Sequence, residues 1–158
     1  MEDVHYLAGH LRDSDVREIY ALSGCGPFEA LAGGLKLSIP HAWTLYEAAT
    51  DRPILIGGVV DLSGDVAAIW LLTTPDLERY PVEITRKAKR MLRQMFYDNP
   101  QFHTFTNFVD TNQPKSVAWL KRLGCTILND EHGNPLTIGP FRCFVFRREE
   151  SICAHQSS

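Results

Sequence analysis

The segment Ile54 to Leu62 constrains the fold most, because its apolar residues fall on both of the alternating faces of a strand. Such a strand cannot line a sheet with one wet face, so it has to be central and covered on both sides. Tight-turn sequences flank it, Thr50-Asp51-Arg52-Pro53 before and Ser63-Gly64-Asp65 after, and beyond them Ala42 to Ala48 and Val66 to Leu72 carry the same strand period. The three read as an antiparallel meander joined by short turns.

Outside the meander the period changes. Val82 to Tyr97 places Ile84, Ala88, Met91, Leu92, Met95 and Phe96 at i, i+4, i+7, i+8, i+11 and i+12, which predicts a helix with one apolar stripe. Asn99-Pro100 ends it, His103 to Val109 reads as a strand, and Pro114 to Leu123 as a helix closed by Gly124. Two strands follow, Cys125 to Leu128 and Phe141 to Arg147, joined by the turn-rich stretch from Asn129 to Pro140. Ahead of the meander, Val4 to Leu11 reads as a first strand. Asp13 or Ser14 is expected to cap a helix to about Leu22, which Gly24, Gly26 and Pro27 stop. A second helix, Phe28 to Leu37, carries the stripe Phe28, Leu31 and Leu35, with Gly33-Gly34 weakening its far end.

The order β-α-α-β-β-β-α-β-α-β-β describes an α+β fold, with a mixed, mostly antiparallel sheet, helices on both faces and a right-handed crossover. At 158 residues, 44% apolar, a single domain over residues 1–148 is expected, with a flexible tail over 149–158. The formal charge of -3 gives no global attraction to nucleic acid or to an acidic membrane surface, and no segment reads as a membrane span or signal peptide. Cys25, Cys125, Cys143 and Cys153 show no metal-binding spacing. They are expected to be reduced, Cys125 and Cys143 packed as small apolar residues and Cys153 an exposed thiol.

Two segments carry a resemblance. One is Asn112-Gln-Pro-Lys-Ser116-Val-Ala-Trp-Leu-Lys-Arg-Leu-Gly124-Cys125; the other is the strand Ile69-Trp-Leu-Leu-Thr-Thr74, followed by Pro75 and a basic helix. The first looks like the Asn-x-x-Ser/Ala helix ending in Leu-Gly-Phe of the GNAT (GCN5-related N-acetyltransferase) fold, with Cys125 replacing Phe. Together with Lys87-Ala-Lys-Arg90, Asn107 and Asp110, they are similar to GNAT-related proteins of short-tailed bacteriophages. That group includes the internal virion protein A family.

The resemblance implies acetyl-CoA as cofactor, lying where the strand ending at Thr74 splays from the one beginning at His103. Main-chain groups of Leu71, Leu72 and Thr73 would pair with pantetheine. The loop before Val82 would meet the pyrophosphate, with charge from Arg79, Arg86 and Lys87. Three departures stand out. Leu77 to Arg86 holds none of the family's phosphate-loop glycines, Leu120 occupies the usual tyrosine position, and the presumed fourth strand has no carboxylate after Asp65. Glu83, His103 and Asn112 are the candidate catalytic residues, with Asn112 also a cofactor contact or an ordinary helix cap. Glu29 and Asp110 are further polar candidates, and Tyr80 a candidate acid.

The basic face of Arg86, Lys87, Lys89, Arg90 and Arg93 suits the CoA 3'-phosphate, an acidic protein partner or plain solvent better than nucleic acid, for which no reading motif is present. Two functions follow from the resemblance: an N-acetyltransferase acting on a protein or small amine, or a non-catalytic module binding a host or virion protein. Both place the chain in the host cytoplasm, or packaged in the virion, without a membrane; a homodimer through apolar edge strands is the other association expected.

Overall fold

The computed structural model describes residues 2–153, the last by its backbone alone, so the Cys153 thiol and residues 154–158 of the expected tail lie outside the described residues. Three helices come first, α1 (Glu2–His10), α2 (Asp13–Ser23) and α3 (Pro27–Leu37). The meander β1 (Trp43–Glu47), β2 (Arg52–Ser63) and β3 (Val66–Thr73) leads through a 3-10 turn (Pro75–Arg79) into α4 (Pro81–Asp98). Then come β4 (Thr104–Asp110), α5 (Pro114–Leu123), β5 (Thr126–Ile127), β6 (Thr137–Ile138), β7 (Phe141–Arg147) and α6 (Arg148–Cys153). The strand order is β1-β2-β3-β4-β7-β5, with β6 also on β7, a mixed and mostly antiparallel sheet in an α+β fold. No helix among the described residues is long and apolar enough to cross a membrane.

The first element overturns an expectation: Val4 to Leu11 is no strand. Val4, Leu7 and Leu11 recur at i, i+3 and i+7 and are all buried, a helical period that a short apolar run easily hides. The expected cap of α2 is also absent. Arg12 stands at the N-cap position with no side-chain capping bond, and its carbonyl accepts Val16 N–H. Likewise Gln113, not Asn112, stands before α5, and it makes no side-chain cap. The stretch from Asn129 to Pro140 includes the short β6, and α6 stands where the tail was expected to begin.

By its contacts the chain divides into two units. One comprises Met1–Val60 and Trp70–Ile84; the other comprises Asp61–Ile69 and Thr85–Ser158. The first unit has a core of Val4, Leu7, Leu11, Ile19, Leu31 and Ile56, with Phe28, Leu35, Trp70 and Leu72 packed against it. Full burial of each such aliphatic side chain contributes about 1.5–3 kcal/mol. Its glycines let the backbone close on Trp70. A β-carbon at Gly34 would meet the indole Cζ2 at 2.9 Å, and one at Gly57 the Trp70 carbonyl oxygen at 2.6 Å. The indole Nε1–H donates to Ser38 Oγ at 2.9 Å, whose hydroxyl donates to Gly34 C=O at 2.6 Å.

In the second unit, β4 pairs antiparallel with β7 along its whole length, from Thr104↔Arg147 to Asp110↔Phe141. Phe96 of α4 stacks on Phe105 of β4 with centroids 3.9 Å apart, and Phe102 meets Phe105 edge-on. Arg148 closes the helix end: its guanidinium donates to the carbonyls of Asn99 and Phe102 and lies 5.2 Å from the Phe96 ring centre. Trp119 of α5 donates to Thr85 Oγ1 of α4 at 3.1 Å, and α5 ends on the left-handed Gly124.

Candidate functional site

Main-chain groups along a strand point alternately to its two edges, and in β3 the phase is set by named bonds. Thr74 N–H donates to Ile54 of β2 at 3.0 Å, so even-numbered residues near the end of β3 face β2. Odd-numbered ones face away. Asp65 C=O, at the strand's start, accepts Thr104 N–H of β4, and Ile69 C=O accepts the Asn107 side chain. Leu72 therefore turns its groups toward β2. Thr73 faces the other way, but both its groups are engaged: N–H donates to Asp15 Oδ2 at 2.9 Å, and C=O accepts Arg12 N–H at 3.0 Å. Of the three residues expected to offer main-chain groups to pantetheine, Leu71 is the one that faces away from β2 with neither of these commitments. Three consecutive residues cannot all serve one edge of a strand.

The Thr73 commitment is a buried polar cluster. Asp15, buried at the start of α2, accepts from Thr73 N–H, Thr73 Oγ1–H and the Arg12 guanidinium, the last at 2.7 Å. A carboxylate so buried is tolerated because its oxygens are all satisfied.

The parallel ladder between β3 and β4 is short: Val66↔Thr104, Ala67↔Phe105 and Ala68↔Thr106. Where the next bond would form, Asn107 intervenes. Its side-chain N–H donates to Ile69 C=O at 2.6 Å, and its side-chain oxygen accepts Phe108 N–H at 2.8 Å.

After β3, the segment expected to be a phosphate loop folds as the 3-10 turn Pro75–Arg79, and Tyr80 leads into α4. Glu47, at the end of β1, holds this turn. Its buried carboxylate accepts Tyr80 O–H at 2.9 Å and Thr50 O–H at 2.5 Å, with Arg79 at 3.8 Å. The Thr50 and Tyr80 hydroxyls, then the Arg79 and Arg52 charges, hold the Glu47 carboxyl below its ordinary value against partial desolvation. The same bond, together with the Glu47 charge, pushes the Tyr80 phenol up. Tyr80 thus keeps its proton and spends it on Glu47, which makes the pair a brace for the turn rather than a ready acid. Glu47 was not among the sequence candidates; the one signal was an acid closing a largely apolar strand.

The remaining candidates scatter. Glu83 is exposed in the first turn of α4, and Arg86 and Lys87 are exposed one turn on. Arg79 is exposed and paired with Asp76 at 3.2 Å. Glu29 is exposed on α3. Asn112 is exposed in the turn after β4, where Asp110 Oδ1 accepts its N–H at 2.8 Å. His103 is exposed at the opposite end of β4. Its N–H donates to Asp65 C=O, and its C=O accepts Arg148 N–H.

Comparison with solved structures matches this architecture over nearly the whole chain. Spermidine N-acetyltransferase from Vibrio cholerae, in complex with CoA and spermine, aligns with a TM-score of 0.65 and 13% identity, covering 95% of this chain and 92% of that one. A GNAT-family acetyltransferase from Bacillus anthracis aligns with a TM-score of 0.65 and 12% identity, covering 94% and 91%. An acetyltransferase from Streptococcus agalactiae aligns with a TM-score of 0.64 and 12% identity, covering 92% and 91%. The fold is that of GNAT acetyltransferases. No protein-family model matches the chain, and no curated protein matches it.

Proposed function

We propose that the chain is an acyl-CoA-dependent N-acetyltransferase. The observation that carries this reading is the three-rung ladder, past which Leu71 lies on the edge of β3 turned away from β2. The shared fold with acetyltransferases, one of them described as a CoA complex, supports it. In this reading the thioester lies along β3, with Leu71 N–H polarising the thioester carbonyl. The pyrophosphate meets the first turn of α4, where Val82 and Glu83 present amides without an intrahelical partner, and Arg79 and Arg86 supply charge.

An amine then attacks the acyl carbon: the N–C bond forms, the C–S bond breaks and the thiolate leaves to take up a proton. The proton that the amine loses balances the one that the thiolate takes up, exchanged through solvent. The resemblance to phage proteins points to an amine on a host or virion protein as acceptor, in the host cytoplasm or the particle.

A second reading has its own observation. Thr73 already spends both main-chain groups inside the fold, and Pro81 removes one amide from a glycine-free phosphate turn. That suits a scaffold kept for protein binding alone. Thermal unfolding with acetyl-CoA separates the two, because ligand at 100 times its Kd adds about 2.7 kcal/mol to a folded state it alone binds. A rise in Tm with acetyl-CoA, and acetyl transfer to a polyamine or lysine-rich peptide, supports the enzyme. An unchanged Tm at millimolar ligand leaves the scaffold.

A further inference from the structure

In a parallel ladder one residue serves two partners, bonding the residue before and the residue after its opposite number. Asp65, Ala67 and Ile69 turn toward β4, as Asp65 C=O accepting Thr104 N–H establishes. The next bond in that series would join Phe108 N–H to Ile69 C=O. It cannot form while Asn107 holds both groups. Its carboxamide donates to Ile69 C=O and accepts Phe108 N–H, so one side chain satisfies both groups of the missing rung. Because both are satisfied, stopping the ladder leaves no unpaired polar group there to draw the strands back together.

We propose that Asn107 is a positioning residue: its carboxamide terminates the β3–β4 ladder at Ile69 and so leaves the outward main-chain groups past that point on β3 to the acyl thioester. This rests on the acyl-CoA reading for its consequence, but not for its cause. No aliphatic side chain can do the same, since the task needs both a donor and an acceptor. Asp supplies only the acceptor.

The test uses the full chain and three variants, Asn107→Val, Asn107→Asp and Asn107→Gln. The first readout is the scalar coupling across a hydrogen bond between Phe108 nitrogen and Ile69 carbonyl carbon, measured by NMR. It is expected to be absent in the wild type and present in Asn107→Val. The second is the Kd for acetyl-CoA, expected to weaken about tenfold or more in Asn107→Val, a loss of one hydrogen-bonding group. Asn107→Gln, which keeps both groups, should restore much of the affinity. A coupling already present in the wild type, or none in a folded Asn107→Val, overturns the wedge. A closed rung with unchanged Kd overturns its role in binding.

Should Asn107→Val not fold, Asn107→Asp decides: a Kd equal to that of the wild type counts against the proposal, and a weakened one supports it. If the wild type binds no acetyl-CoA at all, the acyl-CoA reading fails while the coupling still judges the wedge.

Discussion

Gly34 lies directly against Trp70: a β-carbon there would sit 2.9 to 3.2 Å from three atoms of the indole ring. The ring cannot give way, because Nε1 is held by Ser38, itself bonded back to Gly34 C=O. Gly34→Ala should therefore destabilise by about 1 kcal/mol or more, overpacking outweighing the gain in helix propensity. Gly33, in the same helix, has nothing within 4 Å of its would-be β-carbon, and Gly33→Ala should stabilise by up to about 1 kcal/mol. Urea unfolding of the two variants should move in opposite directions; movement in the same direction would contradict the packing.

The Asp15 clasp on Thr73 gives a second expectation. Asp15→Asn keeps the shape but turns an NH2 group toward partners that are all donors, so it should cost about 3 kcal/mol. Thr73→Val removes only the 3.1 Å hydroxyl bond and should cost about 1 kcal/mol. Chemical denaturation of both variants checks the ratio, and equal losses would show that the carboxylate is not the centre of the cluster.

Glu47 sets a pH dependence whose sign is fixed. Its folded value lies below the ordinary 4.5, so its contribution is present above that pH and disappears as pH falls through the lower folded value. Tyr80, raised above 10.0, gives the mirror image: its contribution is full below pH 10 and lost as pH rises through the higher folded value. Glu47→Gln should unfold at lower Tm than the wild type near neutrality, with the gap narrowing below pH 4.5. A gap that stays constant from pH 7 to 3 would show that the carboxylate charge does not hold the turn.

Cys125, half buried after α5, has its thiol pushed up to about 11 by desolvation, against a smaller opposing pull from Lys121. Far less of it is then thiolate near neutral pH than of an ordinary cysteine. Labelling with iodoacetamide followed by peptide mass analysis should show Cys125 reacting far more slowly in the folded chain than in urea. Comparable rates in the two states would refute its shielding.

What could be read from the residues was whatever repeats at short range. The stripe of α4, the turns around β2 and the closing Gly124 of α5 are each written in neighbouring positions, and the structure has them within one or two residues. Val4, Leu7 and Leu11 were just as regular, but a run of eight residues that also holds Tyr6 and Ala8 fits a strand almost as well, and only the common burial of the three in one core resolves the period.

The site was legible in kind and not in detail. Sequence order alone determined that a Trp-Leu-Leu-Thr-Thr strand precedes a basic helix, and with it the acetyltransferase-like architecture. Only the tertiary structure decided that Thr73 is spent on Asp15, fifty-eight positions away, and that Glu47 braces Tyr80, thirty-three away. It alone decided that Asn107 closes on Ile69. Hydrogen bonds of that reach leave no period along the chain; they exist because folding brings together donors and acceptors that must be satisfied once buried.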